Sequence, residues 1–460
     1  MLSAATGITA SVAPIVLVGL LGLAVSVGVF LAYPAFALLA IVLVRASLDQ
    51  SDFLFSIGGT NLAGFIGVAV AAGGGIALLL ARPKEAPRLV ALPFLGLVLL
   101  ALVSLAYTPA PGEGVRTWLR LAALLVLFCL AARVVRDVRG LRRTAGFVLA
   151  AATLPVLVGL FQAATGSTSV KQGFASISGT FVHANGYAFF LLVVLTLGTV
   201  MLLERALPPA RAAALAVLLL AAGACFLLTY ARAAWIGAVV VLCLLAALEY
   251  RRLIAVCALA VVLAVLAVPS GLGQVQARFS DLSADSANYS DNSFSWRVAT
   301  WEQMLPYALD RPLTGHGLSS YQPLSVAEFG ISEEIGTSLE DGGIYAHNDY
   351  LNLAVELGIF GVLLWLATLA GLAVLLWRAR ENEPVRPYAT AMFALVVALT
   401  LISASDNILS YTGLLYYVMV LCGAVLGAAR ASSHAGLPGA PVEEAATAVG
   451  AGASSERRDH

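Results

Sequence analysis

A histidine, an asparagine and an aspartate stand together directly in front of a long apolar run. They are His347, Asn348 and Asp349 in the segment IYAHNDYLNLAVELGIFG, residues 344–361. Because an unperturbed imidazole titrates near pH 6.5, a neutral histidine can accept a proton close to physiological pH. His347 is therefore a candidate general base, and Asn348 and Asp349 can orient its ring or a substrate hydroxyl. The structural alternative is that these residues only cap the following helix.

A second candidate is an arginine at the start of an apolar segment. Arg232, in LLTYARAAWIGAVV, lies between two apolar runs with almost no loop around it. The free N–H groups and the dipole at a helix N-terminus favour an anion, and the guanidinium adds its own charge. Arg232 is therefore a candidate anion-binding residue. The alternative is a side chain that extends to lipid head groups.

A third candidate lies in the segment SFSWRVATWEQMLPYALDRPLTGHGLSSY, whose first half predicts a helix over about Ser295–Asp310. The residues that recur at helical spacing form one stripe, which comprises Arg297, Trp301, Leu305 and Ala308. An amphipathic helix of this kind lies at a membrane interface, from which Arg297 can reach a phosphate and Trp301 can orient a substrate. Gly315 and Gly317 then predict a tight turn whose bare backbone can approach a ligand.

A weaker polar pair precedes another apolar run. His183 and Asn185, in SGTFVHANGYAFF, can either cap a helix or orient a substrate. Two arginines and a nearby histidine together predict a diphosphate site with a base next to it. The spacing of the acidic residues predicts no metal site.

The composition shows which elements must position these residues. Of the 460 residues, 60% are hydrophobic and only 11% are charged, and the mean hydropathy is +0.92. Lipid can solvate such an excess of apolar surface, whereas a soluble globule cannot. Apolar stretches of roughly 17–25 residues recur along the chain, each long enough to cross a membrane as an α-helix. The sequence therefore predicts an all-α polytopic membrane protein.

Hydropathy predicts about twelve or thirteen transmembrane helices. They cover approximately residues 11–31, 34–46, 61–81, 91–107, 116–136, 142–163, 183–203, 211–229, 231–249, 252–269, 348–377, 387–403 and 410–429. Pro34 interrupts the first apolar run, so either of the first two pieces could be short or re-entrant. The start of the chain lacks the basic residues of a cleavable signal peptide, so we expect the first span to stay attached.

Charged residues orient the predicted bundle. Every second short loop is basic, with positive residues at Arg82, Lys84, Arg88, Arg133, Arg136, Arg139, Arg142, Arg143, Arg205, Arg211, Arg251, Arg252, Arg378, Arg380 and Arg386. By the positive-inside rule these loops are cytoplasmic, and the more acidic loops between them face outward. The formal net charge of zero results from this segregation, so it implies no nucleic-acid partner.

The pattern divides the chain into four regions. Residues 1–269 form an N-terminal transmembrane bundle, and residues 270–347 form one large extracytoplasmic loop that contains the amphipathic helix. Residues 348–430 form the C-terminal transmembrane helices, and residues 431–460 predict a disordered cytoplasmic tail. A hydrophilic loop of this length in a compact bundle is usually functional.

Four segments in this order resemble the superfamily of O-antigen ligases and O-antigen polymerases. They are GTFVHANGYAFF, TYARAAW, SWRVATWEQMLPYALDRPLTGHG and AHNDYLNLAVELGIFG, and they extend from Gly179 to Gly361. The large outward loop before the last spans is also similar to that of the superfamily. The residues before this stretch resemble it only as generic spans.

The resemblance implies a GT-C-like bundle and a metal-independent, inverting glycosyltransferase of lipopolysaccharide or other polysaccharide biosynthesis, without a cofactor. It implies a glycan donor on undecaprenyl diphosphate and an acceptor hydroxyl on a glycan, a lipid A core or another molecule, on the outer side of the bacterial cytoplasmic membrane. In such enzymes the residues that correspond to Arg232 and Arg297 hold the donor diphosphate. The residue that corresponds to His347 activates the acceptor hydroxyl.

Three alternatives stay open from the sequence: a polymerase, a membrane transporter and a non-catalytic membrane scaffold. A polymerase that joins glycan repeat units would share the donor chemistry with a ligase and differ only in its acceptor. A membrane transporter is the alternative from another class, and a transporter places its ionisable residues near the middle of the membrane. Glu356 and Asp406 are the acidic candidates for such a role, because the other polar candidates lie at the outer boundary of the predicted spans.

Overall fold

The computed structural model describes residues 21–49, 56–57, 60–80, 87–171, 174–205, 207–255, 293–329 and 345–435. Several predictions fall outside these ranges: most of the predicted span at 252–269, much of the large loop, and the predicted tail beyond residue 435. Within them the chain is helical apart from two small antiparallel hairpins. The prediction of an all-α architecture is confirmed.

Helices account for all of the larger elements. The N-terminal ones are α1 (Leu21–Ala32), α2 (Pro34–Arg45), α3 (Leu62–Val68), α4 (Gly75–Leu80), α5 (Arg88–Ser104), α6 (Pro111–Val134), α7 (Val138–Ala151) and α8 (Thr153–Thr165). The later ones are α9 (Ala184–Leu203), α10 (Pro209–Leu228), α11 (Arg232–Leu248), α12 (Ser293–Asp310), α13 (Tyr321–Phe329), α14 (Asp349–Ala379), α15 (Arg386–Ile402) and α16 (Thr412–Ala435). A π-helical segment, Ala69–Gly74, joins α3 to α4. The hairpins pair β1 (Ser56–Ile57) with β2 (Thr60–Asn61) and β3 (Ser169–Lys171) with β4 (Phe174–Ser176).

The described helices include six that are long and apolar enough to cross a membrane. They are α6, the continuous α7–α8 pair, α9, α10, α14 and α16. The α1–α2 pair adds a seventh if its two helices, bent by 115°, count as one span. The bend confirms the interruption predicted at Pro34, since proline removes a helical hydrogen bond and cannot continue the helix behind it. Four shorter apolar helices of 10–17 residues accompany them.

Hydrogen bonds between connections define two faces of the bundle. On one, which we call the upper face, Thr180 Oγ1 donates to the carbonyl of Ala46, and the amide of Asp349 donates to the carbonyl of Ser403. The other, the lower face, joins the far ends of the same helices. There Tyr250 donates to Glu204, Arg380 donates to the carbonyl of Leu248, and Asn382 donates to the carbonyl of Ala429.

The two faces differ in charge. The described arginines of the predicted cytoplasmic loops lie at helix ends on the lower face, and they include Arg88, Arg133, Arg136, Arg139, Arg142, Arg205, Arg211, Arg251, Arg378 and Arg386. The upper face has its own buried arginine, Arg45, whose Nη1 lies 2.9 Å from Asp49 Oδ1. Arg45 is therefore already engaged with a carboxylate.

Helix α16 forms the centre of the bundle. Of its most apolar 18-residue stretch 89% is buried, against 22% for the corresponding stretch of α10. It packs most extensively against α6, where Gly423 and Gly427 bring its backbone against the backbone of Phe128, Ala132 and Val135. Small residues at helix crossings allow this close approach inside a membrane.

Helix α14 is not continuous. Gly358 has φ +66° and ψ −167°, a non-helical conformation that is essentially restricted to glycine. A strap segment, residues 312–320, lies against this break: the amide of Ile359 donates to the carbonyl of Pro312, and the amide of Gly317 donates to the carbonyl of Glu356. The strap thus forms hydrogen bonds with backbone groups of α14 that lose their helical partners at the break.

Candidate functional site

The histidine that precedes α14 is not its cap. Asn348 is the N-cap residue, and its side-chain oxygen accepts hydrogen bonds from the amides of Tyr350 and Leu351 at 3.0 and 3.1 Å. The capping role considered for the polar triplet thus falls to Asn348, and the His347 side chain is left for another role. Its ring is 27% exposed, so a substrate can reach it.

His347 faces a buried carboxylate. Its Nδ1 lies 3.5 Å from Oδ1 of Asp406, whose side chain is 0% exposed. Asp406 belongs to the connection between α15 and α16, about 60 residues further along the chain. An imidazole whose Nδ1 faces a carboxylate presents its other nitrogen, Nε2, to the surroundings. The pair therefore has the orientation of a general base supported by an acid residue.

Asp406 is held by several donors. Its Oδ2 accepts a hydrogen bond from Asn185 Nδ2 at 2.8 Å, and its Oδ1 accepts bonds from the Tyr411 hydroxyl and the Asn407 amide, each at 2.8 Å. Asn185 lies in the first turn of α9, so this cluster joins α9 to the α15–α16 connection. The sequence candidate Asn185 thus belongs to the same cluster as His347.

The surroundings of Asp406 favour its charged form. Burial by itself raises the pKa, but the contact with His347, the nearby charges of His347 and Arg297, and the hydrogen bond from Tyr411 outweigh it and hold the pKa of Asp406 below its ordinary value. Burial, followed by the charge of Asp406, raises the pKa of Tyr411 well above its ordinary value. Tyr411 therefore remains a protonated donor to an ionised Asp406.

Arg297 and Trp301 reach the same cluster from α12. Arg297 Nη1 donates to the carbonyl of Ser405, the residue before Asp406. Trp301 Nε1 donates to the carbonyl of Ala346, the residue before His347, at 2.7 Å. Helix α12 therefore contacts both halves of the pair of His347 and Asp406, and the guanidinium of Arg297 lies beside them.

The predicted stripe of α12 does not coincide with the buried side of the helix. Its buried side is formed by Thr300, Met304 and Ala308, which pack against α14, whereas Leu305 is exposed. Arg297 and Trp301 lie at the edge of this buried side. The physical reason is that α12 packs against the protein over one full side, which a pattern expected for a helix lying on lipid does not anticipate.

The backbone of His347 is held in an unusual conformation. Its φ is +45°, in the left-handed region that non-glycine residues rarely occupy. Such a residue costs about 1–3 kcal/mol and persists only where its neighbours fix it. Here Trp301 holds the carbonyl of Ala346 on one side, and the amide of Asn348 donates to Asn407 Oδ1 at 3.3 Å on the other.

Arg232 is the first residue of α11 and is half-buried. Helix α11 packs against α9 and α15, whose upper ends contain Asn185 and Ser403. Tyr230, two residues earlier, also has a left-handed backbone, with φ +52°. Arg232 thus lies on the upper face at the head of a helix next to the elements that hold Asp406.

The remaining sequence candidates lie outside this cluster. His183 is exposed at the N-cap position of α9, without a side-chain capping bond. Gly315 and Gly317 have φ of +63° and +99°, but the protein itself occupies the space beside them. A Cβ on Gly315 would collide with the backbone of Glu356, and one on Gly317 would lie 2.6 Å from Thr108 Cα. The close approach that these glycines allow is therefore to α14 and to the connection between α5 and α6.

Glu356 lies beside the strap rather than in an open cavity. Its side chain is 6% exposed, and Oε1 accepts a hydrogen bond from the amide of Tyr321 at 3.4 Å, at the start of α13. It therefore anchors α13 to α14. Of the two acidic residues singled out for a transporter, Glu356 is thus engaged in packing and Asp406 faces His347.

Sequence reasoning did not include Asp406 and Tyr411 among the site residues. The available signal was an ionisable residue in the short connection SASDNILSY between two apolar runs on the face that also carries His347. Its partner could not be read from the sequence, because the pairing depends on how α14 packs against α15 and α16.

Residues 214–366 match the sequence profile of the O-antigen ligase family. The matched stretch includes Arg232, Arg297 and His347, whereas Asn185 and Asp406 lie outside it. Among curated proteins, none matches the chain significantly. Residues 214–366 are therefore similar to the O-antigen ligase family, the family that the motifs of the sequence resemble.

Proposed function

We propose that this membrane protein is a glycosyltransferase that moves a glycan from undecaprenyl diphosphate to an acceptor hydroxyl. The observation that supports it best is the pair of His347 and Asp406 beside Arg297, because His347 and Arg297 lie within the stretch that matches the O-antigen ligase family. A base that is reachable, a buried carboxylate behind it and a nearby cation are the groups that such a displacement needs.

The acceptor is activated at His347. Nδ1 faces Asp406, so Nε2 of the neutral ring takes the proton of the acceptor hydroxyl. The oxygen attacks the anomeric carbon of the donor as its O–H bond breaks. The ionised Asp406 stabilises the imidazolium that forms, and Asn185 and Tyr411 keep its carboxylate in place.

The leaving group is the lipid diphosphate, and the two arginines bind it as it leaves. The bond between the anomeric carbon and the diphosphate oxygen breaks, and its electron pair remains on the diphosphate. Arg297 and Arg232 stabilise that growing negative charge, with the N-terminal amides of α11 as additional donors. A single displacement of this kind inverts the anomeric centre, and it needs no nucleotide cofactor.

The proposed site opens on the outer side of the cytoplasmic membrane. Arginines concentrate at the lower face, and the positive-inside rule assigns such a face to the cytoplasm. The upper face, with His347 and Asp406, then faces the periplasm or the cell exterior. A lipid-linked glycan that has been moved to the outer leaflet is the donor that can reach it.

A transfer assay in lipid nanodiscs tests the proposal. Purified protein is supplied with the undecaprenyl-diphosphate-linked glycan of its host and with a panel of acceptors, and both released lipid diphosphate and glycosylated product are measured. We expect His347→Ala, Arg232→Ala and Arg297→Ala each to lower kcat about 100-fold or more, because general bases and leaving-group cations contribute on that scale. The acceptor that is used distinguishes a ligase from a polymerase.

Arg116→Ala is the matched control. Arg116 is an exposed upper-face arginine that pairs with Glu113 outside the cluster, so its removal should leave transfer unchanged. Thermal melting of each variant separates loss of chemistry from loss of folding. A folded wild type that transfers glycan to no acceptor, or site variants as active as Arg116→Ala, would contradict the proposal and favour a test of solute uptake in proteoliposomes.

A further inference from the structure

Helix α12 has an apolar side that no described part of the protein covers. Leu305 and Leu309 are 49% and 68% exposed, and Leu313, just beyond the helix, is 58% exposed. We call these three residues the leucine edge. The opposite side of α12 packs against α14, so the leucine edge faces away from the described part of the bundle.

The lengths of α14 and α15 locate the membrane boundary. α15 has 17 residues and α14 has 31, about 26 and 46 Å if both were straight. Both ends are tied together, since the amide of Asp349 donates to the carbonyl of Ser403 and Arg386 Nε donates to the carbonyl of Arg380. The longer helix joins the same two levels and is interrupted at Gly358.

The part of α14 after the break is sufficient to cross the bilayer. Residues 359–379 form about six turns, or roughly 30 Å, which equals the thickness of a hydrocarbon core. Ile359, Phe360 and Leu363 in this part are 44%, 51% and 53% exposed, as expected for residues that face lipid. Gly358 therefore lies near the upper boundary of the hydrocarbon.

The leucine edge continues this lipid-facing surface. The carbonyl of Pro312 accepts the amide of Ile359, and the backbone of Leu313 packs directly against Gly358. Leu313 thus lies beside the first lipid-facing residues of α14. From there Leu309 and Leu305 extend along α12, one helical turn apart.

The other end of the leucine edge reaches the candidate site. Trp301 is one turn before Leu305, and Arg297 is one turn before Trp301. Tyr345, next to the Ala346 carbonyl that accepts the Trp301 indole, is 44% exposed. Aromatic residues at this position are typical of the boundary between head groups and hydrocarbon. An apolar path therefore leads from Arg297 to the lipid-facing side of α14.

We infer that the leucine edge binds the polyprenyl chain of the lipid-linked donor while Arg297 holds its diphosphate. This inference rests on the proposed function. The diphosphate is covalently joined to a hydrocarbon chain that must leave the site towards the bilayer. The edge offers that chain a continuous apolar contact, and each buried methylene contributes favourably to binding.

The test compares donors that differ only in lipid length. Transfer is measured for the double variant Leu309→Ser/Leu313→Ser, whose two leucines lie furthest from Arg297, with a donor on a full-length polyprenyl diphosphate and with the same glycan on farnesyl diphosphate. We expect the KM for the long-chain donor to rise about 10-fold with kcat unchanged, because the lost contact is the same in the ground state and the transition state. The KM for the farnesyl donor should change less than about 2-fold.

Leu220→Ser is the matched control, because Leu220 is 77% exposed on α10, far from α12 in the chain. It should leave both KM values unchanged. An unchanged KM for the long-chain donor in the double variant would overturn the inference, and so would an equal rise for both donors. A wild type that transfers from neither donor would overturn the proposed function and this inference with it, whereas a wild type active on both with a length-independent KM would overturn the inference alone.

Discussion

Nδ1 of His347 lies 3.5 Å from Oδ1 of Asp406, although the two spans α14 and α15 separate these residues in the chain. His347 is partly exposed and Asp406 is fully buried. Substrate can therefore reach the imidazole, while water is kept from the carboxylate. In the proposed mechanism His347 therefore contacts the substrate, and Asp406 acts only through His347. Replacement of Asp406 should change the rate of transfer rather than substrate binding.

Asp406→Asn keeps the shape of the side chain and removes its charge. Without the carboxylate, an imidazolium at His347 loses its stabilising partner, so we expect kcat for transfer to fall about 100-fold with little change in KM. Steady-state kinetics with the lipid-linked donor measures the two constants. An unchanged kcat would show that Asp406 does not support His347.

The effect of Asp406→Asn on the melting temperature should depend on pH. A carboxylate whose pKa is depressed by folding stabilises the native state above its unfolded pKa of about 3.9, and this contribution is lost as pH falls through the folded value. The difference in Tm between wild type and Asp406→Asn should therefore shrink as pH falls below about pH 4. Melting curves in detergent from about pH 5 to pH 3 check the sign, and a difference that grows over this range would contradict it.

Asn185→Asp places a second carboxyl group against Asp406. At pH 8 the two negative charges repel, so we expect activity about 10-fold or more below that of wild type. At lower pH the new carboxyl group takes up a proton and can donate to Asp406 as the Asn185 amide does at 2.8 Å. The ratio of variant to wild-type activity should thus rise from pH 8 to pH 5.5. Asn185→Ala is the control, and its ratio should not rise.

Gly358→Ala tests the break in α14. An alanine would occupy a backbone conformation that costs about 1–3 kcal/mol for a side chain, and its Cβ would lie 2.5 Å from the carbonyl of Leu313. We expect a clearly lower Tm and a displaced strap segment. Gly223→Ala in α10 has no atom within 4 Å of its new Cβ and should keep or raise the Tm. Equal Tm values for the two variants would contradict the role assigned to the break.

Two variants of Glu356 distinguish a packing role of this residue from a role in a proton relay. Glu356→Gln keeps an oxygen for the amide of Tyr321, so transfer and Tm should stay close to wild type. Glu356→Leu leaves that buried amide without its acceptor and should lower the free energy of unfolding by about 1–3 kcal/mol. Loss of function in the folded Gln variant would favour proton-coupled transport over the proposed transfer.

The spans could be predicted because each depends on its own residues. The start of α14 at residue 349, the helix that ends at Asp310 and the interruption at Pro34 follow from local hydropathy and proline chemistry. The break at Gly358 could not be predicted, because the segment GIFG has the same apolar composition as other glycine-containing spans that are continuous helices. It is stable only because the strap segment, nearly 40 residues earlier, supplies partners for the freed backbone.

Some residues of the candidate site could likewise be predicted from the sequence, and others could not. His347, Arg297 and Arg232 are noticeable in the sequence because polar groups beside apolar runs are costly. Asp406 is equally costly, but its meaning depends on a contact across the bundle that no local pattern encodes. Gly315 and Gly317 were correctly expected in a turn, yet their neighbours proved to be Glu356 and Thr108.

The position of α16 determines when this site can exist during synthesis. This helix is at the centre of the bundle, but it follows all other described helices in chain order. Chains are synthesised from their N-terminus, so the earlier helices are made before α16 and at first lack the helix against which they pack. Asp406 and Tyr411 enter with the connection to α16. Asp406 is therefore synthesised only after all the described α-helices other than α16, and a chain that stops before it contains both arginines and the histidine but lacks the carboxylate that faces His347.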